Sequence, residues 1–363
     1  MLGELVLLIA VWYGSSCIAI TTSKICMTAA RVPFVLCSTQ CLTAVLTTRG
    51  YLWLLGRGNV SRLRRPAEKW AVLKVSVGYS AGFALTNVAF AMASAPFVET
   101  VKAAEPVSTA LLAIALLGER ERAATYAALV PIVLGVAAAT GGGGSGDSLF
   151  SLAALTVVAS NLCFSLRAVF AKALKAQHPG SAAARSAIAL FYHVSRYGLP
   201  GFLAAAVLRG DVATLVSAVV AKYSGDDSGH PRPSSSSTAG QVASLERPHT
   251  FLAALVANGL AYTTYNMASF MVLARVSTTT HAVLNVFRRV VVIGVTAIYF
   301  REPMTASGLA GVLTAAFGVA VYASSKQQHA QPSAASSPSS HHHARSDAAA
   351  SHVSGGSDKG SAP

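Results

Sequence analysis

The chain has 363 residues, of which 53% are hydrophobic and only 12% are charged, and its mean hydropathy is +0.52. Soluble domains carry about 25% charged residues, so this composition excludes an ordinary soluble protein and indicates an integral membrane protein. The net charge of +14 does not indicate nucleic-acid binding, because cationic loops are normal on the cytoplasmic side of membrane proteins and no nucleic-acid-binding motif is present.

Apolar stretches that fit a membrane span occur ten times along the chain. A span needs about 20 mainly apolar residues, and the second stretch is short by that measure. The predicted spans are residues 4–27, 32–48, 70–92, 96–118, 123–141, 148–171, 186–208, 250–273, 278–300 and 305–324. We therefore predict an all-α integral membrane fold with ten transmembrane helices.

Two segments outside the spans have the composition of disordered chain. Residues 224–248 are rich in Ser, Pro and Gly, and residues 325–363 are rich in Ser, Ala and His. Such segments bury too little apolar surface to fold, so we expect a disordered loop and a disordered tail. No cleavable signal or long Ser/Arg-rich transit peptide is recognisable before the first span, so we expect this span to be a retained signal anchor; the alternative is that the sequence begins downstream of a lost leader.

The loops differ in their content of Lys and Arg, which predicts the orientation. Cytosolic loops carry the excess of these residues in membrane proteins. The side that holds both termini also holds Arg49, Arg57, Arg62, Arg64, Arg65, Lys69, Arg120, Arg122, Lys172, Lys175, Arg185 and Arg275. We expect both termini to be cytosolic.

Two short motifs recur at an offset of 183 residues. Glu302 lies 183 residues after Glu119, and Gly318 lies 183 residues after Gly135, each pair in a similar apolar context. Five spans per half is an odd number, so the second half must be inverted, and inverted repeats place the solute site near the membrane midplane. The predicted boundaries are 1–147 for the first five-helix repeat, 148–324 for the second and 325–363 for the tail.

Two adjacent arginines, Arg288 and Arg289, lie inside the ninth span. A charged side chain at the bilayer centre costs about 2.5–3.5 kcal/mol even on the lenient insertion scale, so an anionic partner is expected there. The offset of 183 aligns Lys102, in the fourth span, with Asn285, one turn from Arg288. Because arginine grips phosphate oxygens in pairs through its planar fork, these three cations predict a pathway for an anionic solute.

The cations also admit structural explanations. Lys102 and Glu105 are three residues apart and share a helix face, which favours a structural ion pair, and one arginine of the pair can instead snorkel to a membrane surface. Only Glu99 and Glu105 lie near the three cations, so we expect excess positive charge in the empty site. Arg167 and Lys172 end the sixth span, and we expect them to face the cytosol as topology signals.

Two hydroxyl groups lie in spans that flank the cations. Thr86 in the third span and Tyr265 in the eighth can each bond a phosphate or sugar oxygen, although an interhelical hydrogen bond explains them equally well. The five cysteines lie in apolar segments without a His or carboxylate at ligand spacing, and no catalytic constellation can be assembled around His281. We therefore predict neither an enzyme, a metal site nor a cofactor.

These motifs resemble the triose-phosphate translocator family of the drug/metabolite transporter superfamily. The resemblance covers most of residues 8–324, and its matching stretches are Leu85–Phe90, Thr100–Pro106, Ser160–Arg167, Tyr265–Asn266 with Leu273–Ser277, and Thr280–Ile293. It implies ten helices in two inverted halves and counter-exchange of phosphate with phosphorylated C3, C5 or C6 compounds. Matched position by position, the phosphate-binding residues of the family fall on Thr86, Lys102, Tyr265, Arg288 and Arg289.

The chain departs from the family pattern at two informative positions. Arg288 stands where the family has a lysine, which preserves the positive charge. Phe83 stands where triose-phosphate carriers have a polar histidine that is thought to contact the carbon end of the substrate. The resemblance therefore implies a conserved grip on phosphate and leaves the organic part of the substrate open.

We predict a membrane antiporter that exchanges triose phosphate, phosphoenolpyruvate or another sugar phosphate for inorganic phosphate by alternating access. One alternative is a nucleotide-sugar antiporter of the Golgi or ER, and a second is a non-transporting membrane scaffold. The expected partners are phosphate, phosphorylated small molecules and the lipid bilayer, without nucleic acid. The expected location is a Golgi, ER or plastid-type organelle membrane.

Overall fold

The computed structural model describes residues 2–54, 63, 65–118, 122–141, 151–223, 248–276, 278–302 and 304–330. All regular secondary structure in these residues is helical. The helices are α1 (Leu2–Ala30), α2 (Pro33–Leu54), α3 (Pro66–Met92), α4 (Ala95–Lys102), α5 (Glu105–Leu117), α6 (Ala123–Ala127), α7 (Leu129–Gly141), α8 (Leu152–Gln177), α9 (Ala182–Arg185), α10 (Ala187–Leu208), α11 (Asp211–Tyr223), α12 (Pro248–Leu273), α13 (Thr278–Phe300) and α14 (Ala306–Ala330).

The two segments predicted to be disordered fall almost wholly outside the described residues. Pro248 already belongs to α12, and α14 continues to Ala330, five residues beyond the predicted start of the tail. Residues 224–247 and 331–363 are not described, so the predicted disorder there stays a prediction.

A helix, or a pair of helices, lies at every predicted span, but not all of these helices are both long and apolar enough to cross a membrane. Among the described residues, six helices are long and apolar enough to cross a membrane, or up to seven if the pair α10 and α11, bent by 64°, counts as one span. The six are Gly3–Ala30, Pro66–Met92, Ala123–Thr140, Leu152–Gln177, Val283–Phe300 and Ala306–Ser325. The prediction of an all-α multi-pass membrane protein is confirmed, while the count of ten spans and the two-repeat arrangement stay predictions.

The difference between ten and six or seven has a physical origin. Helices α2 and α12 carry buried polar side chains, such as Gln40, Asn258 and Thr263, that face neighbouring helices rather than lipid. Gln40 donates a hydrogen bond to Asn258 over 2.9 Å. Polar residues within membrane proteins face the protein interior, so they lower the hydropathy of a helix without exposing a polar group to lipid.

The predicted fourth span is broken in the middle. Helix α4 ends at Lys102, a turn at Ala103 and Ala104 follows, and α5 begins at Glu105 with Pro106 in its first turn. A proline is tolerated in the first turn of a helix because the N–H group it lacks has no intrahelical partner there. The sequence therefore favours a new helix start at this point, which leaves Lys102 at a helix end.

Helices α7 and α14 approach each other along a row of glycines. A Cβ atom at Gly135 would lie 2.4 Å from the backbone nitrogen of Ala315, and one at Gly318 would lie 2.8 Å from the backbone nitrogen of Ile132. Only glycine fits such an approach, as is typical of helix contacts in membranes.

The apolar core differs between the two ends of the bundle. At one end, here called the closed end, helices of both halves share one large cluster that includes Ala89, Phe90 and Leu255. At the opposite end, here called the split end, the outermost apolar residues form separate clusters, while a cluster with Val75, Tyr79, Tyr262 and Met267 connects α3 and α12 between the two ends. One of the separate clusters contains Leu63, Val72, Leu174 and Ala183, and another contains Trp12, Ala268 and Val272.

Candidate functional site

A cavity of about 190 Å³ lies between α3, α4, α5, α8, α12 and α13 and also touches α1 and α2. Pockets for drug-sized ligands measure about 300–1,000 Å³, so this cavity suits a small solute. The structure brings all five predicted site residues to its wall, namely Thr86, Lys102, Tyr265, Arg288 and Arg289.

Lys102 is almost fully buried at the end of α4. Its Nζ atom donates a hydrogen bond to the Thr86 hydroxyl over 3.2 Å and lies 5.0 Å from the centroid of the Phe164 ring. The Thr86 hydroxyl also lies 2.8 Å from that of Ser160 on α8. The Thr86 hydroxyl thus takes part in an interhelical hydrogen bond with Ser160 and also accepts a hydrogen bond from Lys102.

Arg288 lies on α13 with 8% of its surface exposed. Its Nε atom donates to the Asn285 side chain over 3.0 Å, and its Cζ atom lies 5.9 Å from the centroid of the Tyr265 ring. This contact is within the range of a cation–π interaction. Arg288 is therefore held on the protein interior, which excludes snorkelling to a membrane surface for this residue.

Arg289 forms ion pairs with both nearby carboxylates. Its guanidinium nitrogens lie 3.4 Å from Glu99 and 3.1 Å from Glu105. The two glutamates belong to α4 and α5 of the first half, so the ion pairs cross to the second half. The alternative explanation of Lys102, an ion pair with Glu105 on one helix face, is not what the structure shows, because the turn at Ala103 and Ala104 separates the two residues and Glu105 pairs with Arg289 of α13.

Arg167 lies on the cavity wall, which corrects the expectation that it faces the cytosol. Its Cζ atom lies 5.8 Å from the ring centroid of Tyr79 and 5.7 Å from that of Phe164. Its Nε atom is buried and has no hydrogen-bond partner among the described residues. The spacing of Ser160, Phe164 and Arg167 on one face of α8 could have revealed this placement. Lys172 is exposed, and the membrane side that it faces stays a prediction.

Four aromatic rings form one wall of the cavity, here called the aromatic wall. Phe83 packs against Tyr79 with ring centroids 4.7 Å apart, and against Phe164 and Tyr262 with centroids 5.0 Å apart in edge contacts. Both Lys102 and Arg167 contact this wall through the Phe164 ring. This part of the cavity offers apolar ring surface where a polar side chain would offer a hydrogen bond.

The charges at the cavity do not balance. Its wall carries four cationic side chains, Lys102, Arg167, Arg288 and Arg289, and two carboxylates, Glu99 and Glu105. The formal charge of these groups is +2. Uncompensated charge is costly within a membrane protein, so the arrangement favours a bound anion.

The sequence model of the Triose-phosphate Transporter family matches residues 3–323. This chain belongs to that family. Its members are transporters rather than enzymes, so the predictions of the family and of a non-enzymatic role are confirmed. Family membership also agrees with the apolar helices in assigning the chain to the multi-pass membrane proteins.

Relatives of this Triose-phosphate Transporter family member are named as plastid translocators. The chain is 30% identical over 331 residues (91% of this chain, 74% of the relative) to the triose phosphate/phosphate translocator, non-green plastid, chloroplastic, of Brassica oleracea var. botrytis. It is 29% identical to phosphoenolpyruvate/phosphate translocator 1, chloroplastic, of Arabidopsis thaliana over 325 residues (89% and 72%) and of Oryza sativa subsp. japonica over 287 residues (78% and 62%). The chain thus spans between 62% and 74% of the length of these relatives.

Proposed function

We propose that this protein exchanges inorganic phosphate for small phosphorylated metabolites across an organelle membrane. The observation that carries the proposal is the cavity with a formal charge of +2, which a phosphate dianion would neutralise. In our proposal Lys102, Arg288 and Arg289 bind the phosphate oxygens as charge-assisted donors. Thr86 and Tyr265 add their hydroxyl groups.

Obligatory exchange follows from the same charge balance. Without an anion, the carrier would have to move uncompensated cations through a closed state within the membrane, which is unfavourable. With phosphate bound, the charge is compensated, and the two halves can rock around a site at the midplane. The ion pairs of Arg289 with Glu99 and Glu105 hold one cation when the site is empty, and bound phosphate competes with these carboxylates for the guanidinium.

The carbon end of the substrate, in our proposal, lies along the aromatic wall and ends at Arg167. Arg167 is a further cation at this wall, beside the rings of Tyr79 and Phe164, so a substrate with a second anionic group is favoured. Phe83 offers no hydrogen bond to a hydroxyl group, and a buried hydroxyl without a partner costs binding free energy. We therefore expect a compact phosphorylated acid with few hydroxyl groups to be preferred over a sugar phosphate.

The test is transport by the purified protein in liposomes. We expect labelled phosphate to enter vesicles preloaded with phosphate, phosphoenolpyruvate or 3-phosphoglycerate, and to enter empty vesicles far more slowly. Equal uptake into empty vesicles would contradict obligatory exchange. Stimulation by internal nucleotide sugars instead of phosphate would identify a nucleotide-sugar antiporter, and absence of uptake under every condition would favour the non-transporting scaffold.

The membrane in which the protein resides is proposed to be of the plastid type. The relatives named above are chloroplast proteins, and none of these names supports the Golgi or ER. A fluorescent fusion that co-localises with a plastid envelope marker would agree with this location. Cytosolic termini, as the loop cations predict, would leave a tag at either terminus accessible to protease in intact organelles.

A further inference from the structure

One hydrogen bond joins two residues that the repeat relates to each other. The hydroxyl groups of Tyr79 on α3 and Tyr262 on α12 bond to each other, and the two residues are 183 positions apart. This is the offset that also relates Glu119 to Glu302. Both tyrosines are buried, with 5% and 2% of their surface exposed, so α3 and α12 meet at equivalent positions.

Helices α7 and α14 meet in the same manner. Gly135 faces Ala315, and Gly318 faces Ile132. Ala315 lies 183 residues after Ile132, as Gly318 does after Gly135. If each residue is replaced by its counterpart in the other half, the contact of Gly135 with Ala315 becomes the contact of Gly318 with Ile132. Such reciprocal contacts are typical of two parts related by a two-fold axis.

The two ends of the α3–α12 pair differ, although the sequence offset makes them equivalent. Ala89 of α3 and Leu255 of α12 belong to the single cluster at the closed end. Their counterparts at the offset of 183 are Val272 of α12 and Val72 of α3, which belong to two different clusters at the split end. The outermost residues of the two helices thus share a cluster at one end and not at the other, and between the ends α3 and α12 meet in a cluster that contains both tyrosines, Val75 and Met267.

We propose that the contact between Tyr79 and Tyr262 is the pivot on which α3 and α12 turn during transport. Tyr79 and Tyr262 are each other's counterparts at the offset of 183. If the two halves interchange their conformations, the same two residues therefore contact each other again, and the contact is kept in both access states. The same interchange gives Val72 and Val272 the shared cluster that Ala89 and Leu255 have in this structure. Both tyrosines are positioning residues that act through α3 and α12. The proposal rests on the exchange function proposed above.

The ion pair between Arg289 and Glu105, unlike the tyrosine contact, is lost when the two halves interchange their conformations. At the offset of 183, Glu105 corresponds to Arg288, and Arg289 corresponds to Pro106. Arginine and proline cannot form an ion pair, so this contact has no equivalent in the interchanged state. The ion pair is therefore specific to the state described here, whereas the tyrosine contact belongs to both states.

Three pairs of cysteines test the pivot by covalent linkage in liposomes. The first pair is Ala89→Cys with Leu255→Cys, the second is Val72→Cys with Val272→Cys, and the third is Tyr79→Cys with Tyr262→Cys. The third pair is linked by a bifunctional methanethiosulfonate. The length of its spacer equals the combined length of the two tyrosine side chains that it replaces. The wild type, which carries five native cysteines, receives the same reagents as a control, and a reductant reverses each linkage.

We expect a link at either end to lower phosphate exchange by about tenfold or more, because rocking needs both ends free, and reductant to restore it. The link at Tyr79 and Tyr262 should cause no further loss of exchange relative to the same double-cysteine variant before linkage, so the comparison does not require the two substitutions in the cavity wall to be neutral. Loss of exchange on linking this third pair would overturn the pivot and make the contact a gate. Linkage is scored by gel mobility, so a carrier that cross-links at both ends but never exchanges phosphate would count against the proposed function and leave the pivot standing.

A second measurement covers the case in which the double-cysteine variant at the tyrosines does not fold. Tyr79→Phe and Tyr262→Phe should leave the ratio of apparent KM values for phosphate at the two membrane faces unchanged, since the lost hydrogen bond affects both states alike. Glu105→Gln should shift that ratio, because it weakens a contact of one state only. Tyr192→Phe removes another buried phenol and serves as the matched control. A shifted ratio in either Tyr79→Phe or Tyr262→Phe would overturn the proposal.

Discussion

Helices α4 and α5 of the first half and α13 of the second occupy corresponding positions along the sequence, yet they present their charges differently. The first pair is broken at Ala103 and Ala104, whereas α13 runs without interruption from Thr278 to Phe300. The broken pair supplies one cation and both carboxylates of the cavity. The continuous helix supplies two arginines and no carboxylate.

The break explains how the first half holds opposite charges so close together. Lys102 lies at the carboxyl end of α4 and Glu105 at the amino end of α5, and each charge is favoured there by the helix dipole. Arg288 and Arg289 lie in the middle of α13, where no helix end contributes. Their charges are stabilised by side chains instead, and both carboxylates that pair with Arg289 belong to the first half. The position of the Arg289 guanidinium in the second half therefore depends on residues of the first half.

The largest expected effect comes from removing the cation that links the halves. We expect Arg289→Ala to lower phosphate exchange in liposomes by about 100-fold, since losing one partner of a buried ion pair costs about 2–5 kcal/mol and leaves Glu99 and Glu105 unpaired. Arg275→Ala is the matched control, because Arg275 pairs with Glu4 outside the cavity. Exchange near the wild-type rate in Arg289→Ala would contradict the role of this residue.

Removing the cation at the helix break should have the next largest effect. We expect Lys102→Met to lower phosphate exchange by about tenfold to 100-fold, because a charge-assisted donor of about 1.5–3 kcal/mol is lost. Lys102→Arg keeps the charge and should retain more activity than Lys102→Met. Equal activity of the two variants, measured at matched protein content, would show that the charge at this position is not required.

A smaller effect of opposite sign is expected from a carboxylate. In Glu105→Gln the guanidinium of Arg289 loses a charged competitor of phosphate, so the apparent KM for phosphate should fall by about threefold. The effect is smaller than for Arg289→Ala because the Glu105 side chain is 25% exposed, and solvent-screened ion pairs contribute about 0.2–1 kcal/mol. The measurement is the concentration dependence of phosphate uptake. A higher KM would mean that Glu105 positions Arg289 for phosphate more than it competes with it.

The smallest effect on phosphate itself is expected at the aromatic wall. Phe83→His should leave phosphate-for-phosphate exchange within about twofold of the wild type, because the Phe83 ring makes only a distant contact with Lys102, at 6.0 Å from its Nζ atom. It should improve exchange with hydroxyl-bearing triose phosphates by about tenfold through a new hydrogen bond. Phe83→Leu keeps the wall apolar and is the control. If both variants accept triose phosphates equally, Phe83 acts through its size.

The helices and the residues that line the cavity were largely predictable from the sequence. Apolar length located a helix or a helix pair at every predicted span, and charges inside apolar stretches pointed to Lys102, Arg288 and Arg289 because a buried charge needs a functional reason. Arg167 was misjudged, since a cation near the end of a predicted span reads as a topology signal. Its position depends on which face of α8 meets α3, and that is a property of packing.

The sequence by itself determined that this is a helical membrane protein of the Triose-phosphate Transporter family with cations buried in both halves. These properties follow from composition and local pattern. Only the tertiary structure decided that Glu105 pairs with Arg289 instead of Lys102, that Arg167 enters the cavity, and that Tyr79 meets Tyr262. Each of these contacts joins residues of different helices, so it depends on helix rotation and approach, which no local pattern encodes.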